Sequence, residues 1–193
     1  MDSNMKKNEY TVFPWWKGYI LKNISRLRKK YQNPEIILKN YVKEGMMVAD
    51  IGCGMGYFSL PMAEMVGDNG IVVAVDLQRQ MLKEVQKMAK KQNKEELFCF
   101  INCSEDSLKL DEINGQLDFV LVFAVAHEVL DRRRMFKELV EAMKKGGKML
   151  FAEPQGHVSE ECFNESIDFA NEWGLKVIDR PKINMSRAVV LEK

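Results

Sequence analysis

The stretch "VADIGCGMGYFS", residues 48 to 59, decides how this chain is read. An apolar run reaches a carboxylate, Asp50, and then opens into Gly52, Gly54 and Gly56. A glycine turn leaving a strand marks a place where backbone comes close to a ligand. The dinucleotide fingerprint G-x-G-x-x-G needs its last glycine at position 57, where Tyr57 stands, and no G-x-x-x-x-G-K-[ST] phosphate loop is present.

Outward from this turn, apolar runs alternate with helical patterns. "MMVADI" is the first strand and Tyr57 to Met65 a helix; "GIVVAVD" is the second strand and Gln78 to Gln92 a helix; "LFCFIN" is the third strand. "LDFVLVFAVA" is the most apolar run, as expected of a central parallel strand covered on both faces. Arg132 to Lys145 reads as helix, "GGKMLFAEP" as strand and Glu160 to Trp173 as helix. "LKVIDR" and "RAVVLEK" follow with no helix between them, which predicts an antiparallel hairpin at one edge. The expected fold is α/β: a Rossmann-like, doubly wound, mostly parallel seven-stranded sheet with helices on both faces.

Before the glycine turn, Trp16, Ile20, Ile24, Leu27 and Tyr31 share one face of a helix, and Lys22, Arg26, Lys29 and Lys30 lie opposite. "NPEIILKNYV" starts a new helix, with Asn33 as N-cap, Pro34 at its first position and Gly45 ending it. The chain is accordingly divided into an N-terminal extension or lid helix, residues 1–33, and a ligand-binding domain, residues 34–193.

The 193 residues suit one core, and the net charge of +1 supplies no global reason to invoke a polyanion. "RLRKK" (26 to 30) and "RRR" (132 to 134) are read as solvated helix faces rather than nucleic-acid contacts. The start of the chain lacks the apolar core of a signal peptide, and no apolar run is long enough to span a bilayer. A cytoplasmic protein is expected. Cys53, Cys99, Cys103 and Cys162 show no CxxC spacing, and no metal site is expected.

Charge separates the possible ligands. A pyrophosphate at the helix start would be repelled by Asp50, so the turn suits a ligand with cationic character. S-adenosylmethionine fits: it carries an ammonium and a sulfonium, and its carboxylate can use backbone N–H groups of the turn and helix start. Asp76, at the end of the second strand, stands where an acid accepts hydrogen bonds from ribose hydroxyls.

With "VADIGCGMGYFSL", "VVAVDLQRQML", "LDFVLVFAVAHEVLD" and "MKKGGKMLFAEP" in this order, the chain resembles the class I S-adenosylmethionine-dependent methyltransferases over about residues 34 to 193. Among them it is most similar to the small-molecule type related to quinone-biosynthesis methyltransferases. The resemblance implies transfer of a methyl group to a small-molecule acceptor with release of S-adenosylhomocysteine. It assigns Asp50, Gly52 and Gly54, with Cys53 between the glycines, to the methionine portion of the cofactor, and Asp76 and Leu77 to ribose and adenine. Where the family often has an aspartate facing the adenine, this chain has Cys103, leaving the Ser104 backbone or Glu105 as substitutes. Phe123 and Ala124 would line the reactive end.

His127 and His157 both follow neighbouring strands on the ligand side and are the candidate catalytic groups. An imidazole titrates near neutral pH and can take a proton from an acceptor that must lose one. The alternatives are a satisfied buried turn for His127 and a solvated loop for His157. Glu128 and Glu153 are further polar residues at strand ends, although Glu153-Pro154 could simply mark a turn. Phe13, Trp15 and Trp16 either cover an apolar acceptor or pack the first helix onto the sheet. The sequence does not indicate an oligomeric state or the acceptor.

Overall fold

The computed structural model describes residues 25–193, with side chains from Arg28 onward. Phe13, Trp15, Trp16 and the first part of the expected N-terminal helix lie outside the described residues. Numbered from the first described element, the helices are α1 (Ser25–Tyr31), α2 (Pro34–Leu38), α3 (Ser59–Val66), α4 (Arg79–Lys91), α5 (Arg132–Ala142) and α6 (Glu160–Glu172). The strands are β1 (Met47–Ile51), β2 (Ile71–Asp76), β3 (Phe98–Asn102), β4 (Leu117–Phe123), β5 (Met143–Pro154), β6 (Lys176–Asp179) and β7 (Ser186–Glu192).

One seven-stranded sheet runs in the order β3-β2-β1-β4-β5-β7-β6. The β1–β5 strands pair in parallel, and β7 inserts antiparallel between β5 and β6. This is the expected doubly wound fold with its antiparallel edge hairpin. Strand order reverses between β1 and β4, so their carboxyl ends diverge and leave a crevice, the place where open α/β sheets bind ligands.

Alternation along the strands sends side chains to the two faces. Ala49, Ile51, Val73 and Val75 pack with Phe136 and Leu139 of α5 and Phe163 and Ile167 of α6. Val48, Val72, Phe119 and Leu121 pack on the opposite face with Leu38 of α2 and Met62, Ala63 and Val66 of α3. Leu82 and Val85 of α4 close over Ala74, on the same face as Val72.

Three boundaries differ from expectation. The helix beginning at Asn33, whose side chain accepts a 2.9 Å bond from Glu35 N–H, ends at Leu38 rather than near Gly45. Helix α5 ends at Ala142, not Lys145, because Ala142 C=O accepts from Gln116 N–H and Met143 already pairs with Leu117, so β5 starts before its glycines. Strand β4 ends at Phe123, and "AVA" turns out of the sheet through Ala124, whose φ of 56° is left-handed. Tyr31, expected on the apolar face of the first helix, is exposed.

Candidate active site

The quoted glycines sit at the carboxyl end of β1. Gly52 and Cys53 N–H both donate to Val75 C=O, at 2.9 and 3.0 Å, and Gly56 N–H donates to Cys53 C=O at 3.0 Å. Gly52 has φ +67°, and a Cβ there would stand 2.3 Å from Val125 Cγ2, so a side chain is excluded by both backbone and space. Gly54, at φ +53°, faces open space instead, with nothing within 4 Å of where a Cβ would be. The first glycine lets the loop after β4 approach, and the second leaves room at the surface of a cavity.

Asp50 is only 3% exposed. The Ser59 hydroxyl, from the first turn of α3, donates to its Oδ2 at 2.5 Å. Burial nevertheless dominates and pushes the Asp50 carboxyl up from 3.8 to about 7, because the charged form has lost its water. Even with the Arg28 guanidinium drawing it down, the group is only part-ionised at neutral pH, a weaker charge than a free carboxylate carries. The exclusion of a pyrophosphate then rests more on donors: Gly52, Cys53, Gly54 and Gly56 N–H are all bonded within the protein.

Asp76 is 7% exposed and ties the turn to the next strand. Its Oδ2 accepts from Gly54 N–H and its Oδ1 from Gln78 N–H, both at 2.8 Å. Each carboxylate oxygen retains a second lone pair for an incoming hydroxyl. Asn102 holds the following backbone, donating to Asp76 and Leu77 C=O at 3.0 and 2.9 Å.

Cys103 and Ser104 follow β3 on the same cavity. Burial raises both nearby thiols, Cys103 to about 11 and Cys53 well above its ordinary value, so neither is a thiolate nucleophile at neutral pH. Ser104 N–H is committed to Ser107 C=O at 2.9 Å, which removes the backbone donor expected to replace the missing adenine-facing aspartate. The loop is anchored from below by Glu138 of α5. Its Oε2 accepts from Leu108 N–H at 2.6 Å and Ser107 Oγ at 3.2 Å, while its Oε1 accepts from Arg134 Nε at 3.1 Å.

On the other side of the crevice, Phe123 ends β4 and Ala124 leads on toward a 3-10 turn, Ala126–Glu128. Glu153, 2% exposed on β5, accepts from Ala126 N–H at 2.8 Å and His127 N–H at 3.3 Å through Oε1. Its Oε2 lies 2.6 Å from His127 Nδ1. His127 Nε2 stands 3.9 Å from Glu128 Oε1, and the His127 side chain is 29% exposed. The hydrogen bond to Glu153 raises the imidazole above its ordinary value against the opposing effect of burial. His157 lies exposed on the rim of the same cavity, its N–H bonded to Pro154 C=O at 3.1 Å.

Arg28 completes this wall, and no functional role was read for it from sequence. Its guanidinium lies 4.1 Å above the Tyr57 ring centroid and within cation–π reach of Phe58 and Phe123. Nε donates to Gln32 Oε1 at 3.2 Å. The available signal was its place four residues after Ile24 and three before Tyr31, on the apolar stripe rather than the basic face. The "RRR" cluster has another fate: Arg132, Arg133 and Arg134 are paired with Glu165, Glu172 and Glu138.

These walls enclose a cavity of about 1300 Å³ formed by the described residues. That exceeds the roughly 300–1,000 Å³ of ordinary small-ligand pockets and leaves room for a nucleoside cofactor and a second molecule. No cluster of metal-ligating side chains occurs among the described residues.

The site sits in a fold shared with known proteins. A methyltransferase from Aquifex aeolicus, described as S-adenosylmethionine-dependent, superposes with a TM-score of 0.81 at 22% identity, covering 93% of this chain and 98% of that one. A demethylmenaquinone methyltransferase from Bacillus cereus is 30% identical over 131 residues, 67% of this chain and 54% of its own length. A protein-L-isoaspartate O-methyltransferase from Caenorhabditis elegans is 27% identical over 115 residues, 58% of this chain and 48% of its own. The chain thus spans about half the length of these two curated relatives. A model of the methyltransferase domain matches residues 48–147, from the first strand through the start of the fifth and more than half of the sequence. The chain belongs to the methyltransferase domain family, in its class I, S-adenosylmethionine-dependent branch.

Proposed function

We propose that this protein transfers the methyl group of S-adenosylmethionine to a small-molecule acceptor in the crevice between β1 and β4, releasing S-adenosylhomocysteine. The observation that carries the reading is the pair of buried carboxylates, Asp50 and Asp76, on either side of a glycine turn whose N–H groups at 52, 53, 54 and 56 are already used. Such a turn has acceptors to offer and few donors, which suits an ammonium and ribose hydroxyls and not a diphosphate.

In this reading Asp50 receives the ammonium, and Gly52, Cys53 and Gly54 border the methionine chain. Asp76 accepts from the ribose, with Leu77, Cys103 and Ser104 around the adenine. Arg28 supplies the cation for the cofactor's carboxylate, in place of the committed turn N–H groups. Phe123 and Ala124 stand at the methyl group, and His127 and His157 face the acceptor. The cofactor supplies an electrophilic methyl carbon; the chain's task is to hold the acceptor in line with it and keep water out, which can account for effective molarities on the order of 10⁵ M.

The division into an extension, residues 1–33, and a binding domain, residues 34–193, belongs to the same proposal, supported by Arg28 of the extension lining the cavity. An acceptor of quinol size is supported by the likeness to demethylmenaquinone and phytyl-naphthoquinone methyltransferases. Four unpaired cysteines fit a reducing compartment such as the cytoplasm. Among the described residues, no helix is long and apolar enough to cross a membrane.

Thermal unfolding tests the cofactor. S-adenosylhomocysteine at a hundred times its dissociation constant should add about 2.7 kcal/mol of stability, a rise of roughly 5 °C or more for a chain of this size. NADH should add nothing. Stabilisation by NADH and none by S-adenosylhomocysteine would overturn the reading.

A further inference from the structure

We propose that His127 and Glu153 form a base dyad, in which Glu153 orients His127 to take the proton of a phenolic hydroxyl acceptor during methyl transfer to its oxygen. The inference rests on the reading of the crevice as a methyltransferase site and specifies its acceptor class.

Glu153 is built to hold one imidazole in one orientation. Its Oε1 is bonded to the backbone N–H groups of Ala126 and His127, which fixes the turn, and its Oε2 is 2.6 Å from Nδ1 of the His127 ring. A carboxylate at Nδ1 selects the tautomer with the proton on Nδ1, so that Nε2 carries the lone pair. Strand β5, the parallel neighbour of β4, delivers Glu153, the turn after β4 delivers His127, and the histidine lines the cavity. The imidazole is not needed to satisfy the turn, because the carboxylate already bonds both backbone amides. His157, exposed on the rim, has no comparable orienting bond in the described structure.

The groups acting on His127 are Glu153 on β5 and Glu128 in its own turn; Asp131, Arg134, His157 and Arg28 are further titratable groups on the cavity wall. The two nearest are acidic, so they favour the imidazolium and make the neutral ring a stronger base. Such a base matches an acceptor whose own proton leaves with difficulty at neutral pH, as a phenol ionising near ~10 does. A thiol, ionising at ~8.5, needs this help less.

The step balances. The O–H bond breaks and its proton passes to His127 Nε2; the oxygen's electron pair forms the new O–CH₃ bond; the S–CH₃ bond breaks with its pair retained on sulfur. The products are a methyl ether, S-adenosylhomocysteine and an imidazolium stabilised by Glu153, which returns its proton to solvent. His127 is the catalytic residue and Glu153 the positioning residue.

The test uses the full chain, labelled S-adenosylmethionine, and two phenols of similar size: 4-methylphenol, which stays protonated, and 4-nitrophenol, largely ionised at mildly alkaline pH. A thiol and an amine of the same size accompany them. Transfer to 4-methylphenol should yield the methyl ether and rise with pH through a midpoint above the ordinary histidine value, since the active form is the deprotonated one. His127→Asn, whose amide can still donate to Glu153, should lower kcat on 4-methylphenol by roughly 100-fold or more. On 4-nitrophenol, which brings no proton to remove, it should cost only a few-fold. Glu153→Gln should move the pH midpoint of the rate downward and lower kcat by about tenfold with KM nearly unchanged. The imidazole NMR titration of His127 should follow the same shift without any substrate.

The proposal is overturned by transfer to the thiol or amine but to neither phenol, by equal losses on both phenols in His127→Asn, or by a midpoint that Glu153→Gln leaves in place. A protein that binds S-adenosylhomocysteine and methylates none of the four also overturns the dyad and leaves the cofactor reading standing. Failure to bind S-adenosylhomocysteine at all removes both.

Discussion

Replacing Asp50 by Asn should make the unliganded protein more stable at mildly alkaline pH and, at the same time, less able to hold its cofactor. Asp50 is buried against Ser59, whose hydroxyl donates to it, and an Asn carbonyl oxygen can still accept that bond. Replacement therefore removes the charge and keeps the contact. In the folded chain the carboxyl holds its proton up to about 7, whereas in the unfolded chain it releases it near 3.8. Between those values the unfolded state binds fewer protons than the folded one, so stability falls as pH rises across this window and changes no further above it. The full interval corresponds to about 4 kcal/mol at 1.36 kcal/mol per pK unit. That figure already contains the attraction of Arg28, which lowers the carboxyl against burial. At about 2 °C or more per kcal/mol for a chain of this length, the melting temperature of Asp50→Asn should exceed the wild type by roughly 8 °C or more above neutrality. The difference should shrink steadily toward pH 4. Calorimetric titration with S-adenosylhomocysteine should show affinity weakened by roughly 10- to 100-fold, the loss of one charge-assisted hydrogen bond. A stability gain independent of pH, or a variant less stable than wild type above neutrality, would refute the argument from burial. Undiminished affinity would remove Asp50 from the ammonium site.

Two further substitutions test the frame around this group. Gly52→Ala should destabilise the protein by about 2 kcal/mol or more, from the left-handed backbone and the clash with Val125 together. Adding Val125→Ala should recover the steric part and leave the conformational part, as a double-mutant cycle in thermal unfolding would show; strict additivity would mean that the two do not meet. Glu138→Ala should leave the buried Leu108 N–H without its acceptor, at a cost of about 1–3 kcal/mol, and loosen the loop bearing Ser104. Binding of S-adenosylhomocysteine should weaken by roughly fivefold or more, while transfer at saturating cofactor stays near the wild-type rate.

Much of this protein was legible in its sequence because the relevant signals are local. The apolar runs "MMVADI" and "GIVVAVD", the longer one of β4, and the missing helix before "RAVVLEK" record which strands are covered and how they are joined, and together they prescribe the doubly wound sheet with its antiparallel edge. The glycine turn was legible for the same reason: positive φ at Gly52, Gly54 and Gly56 is a demand on single residues. Boundaries were less so. The end of α5 moved from Lys145 to Ala142 because a carbonyl far along the chain was claimed by Gln116, which no helical period records.

What only the tertiary structure decided is how distant groups change one another. Sequence placed Asp50 at a strand end, but only its depth beneath the turn makes it a near-neutral acid instead of a fixed negative charge. Sequence offered Glu153 as a polar candidate at a strand end or the mark of a turn; the parallel pairing of β4 and β5 puts its carboxylate against His127 and two amides, and so turns a lone histidine into an oriented one. Arg28 was one of several basic residues on a helix until the packing of Tyr57, Phe58 and Phe123 selected it for the cavity. Periodicity records which way a side chain faces relative to its own element, whereas ionisation and orientation depend on the dielectric and partners that other elements bring, and those exist only once the chain has folded.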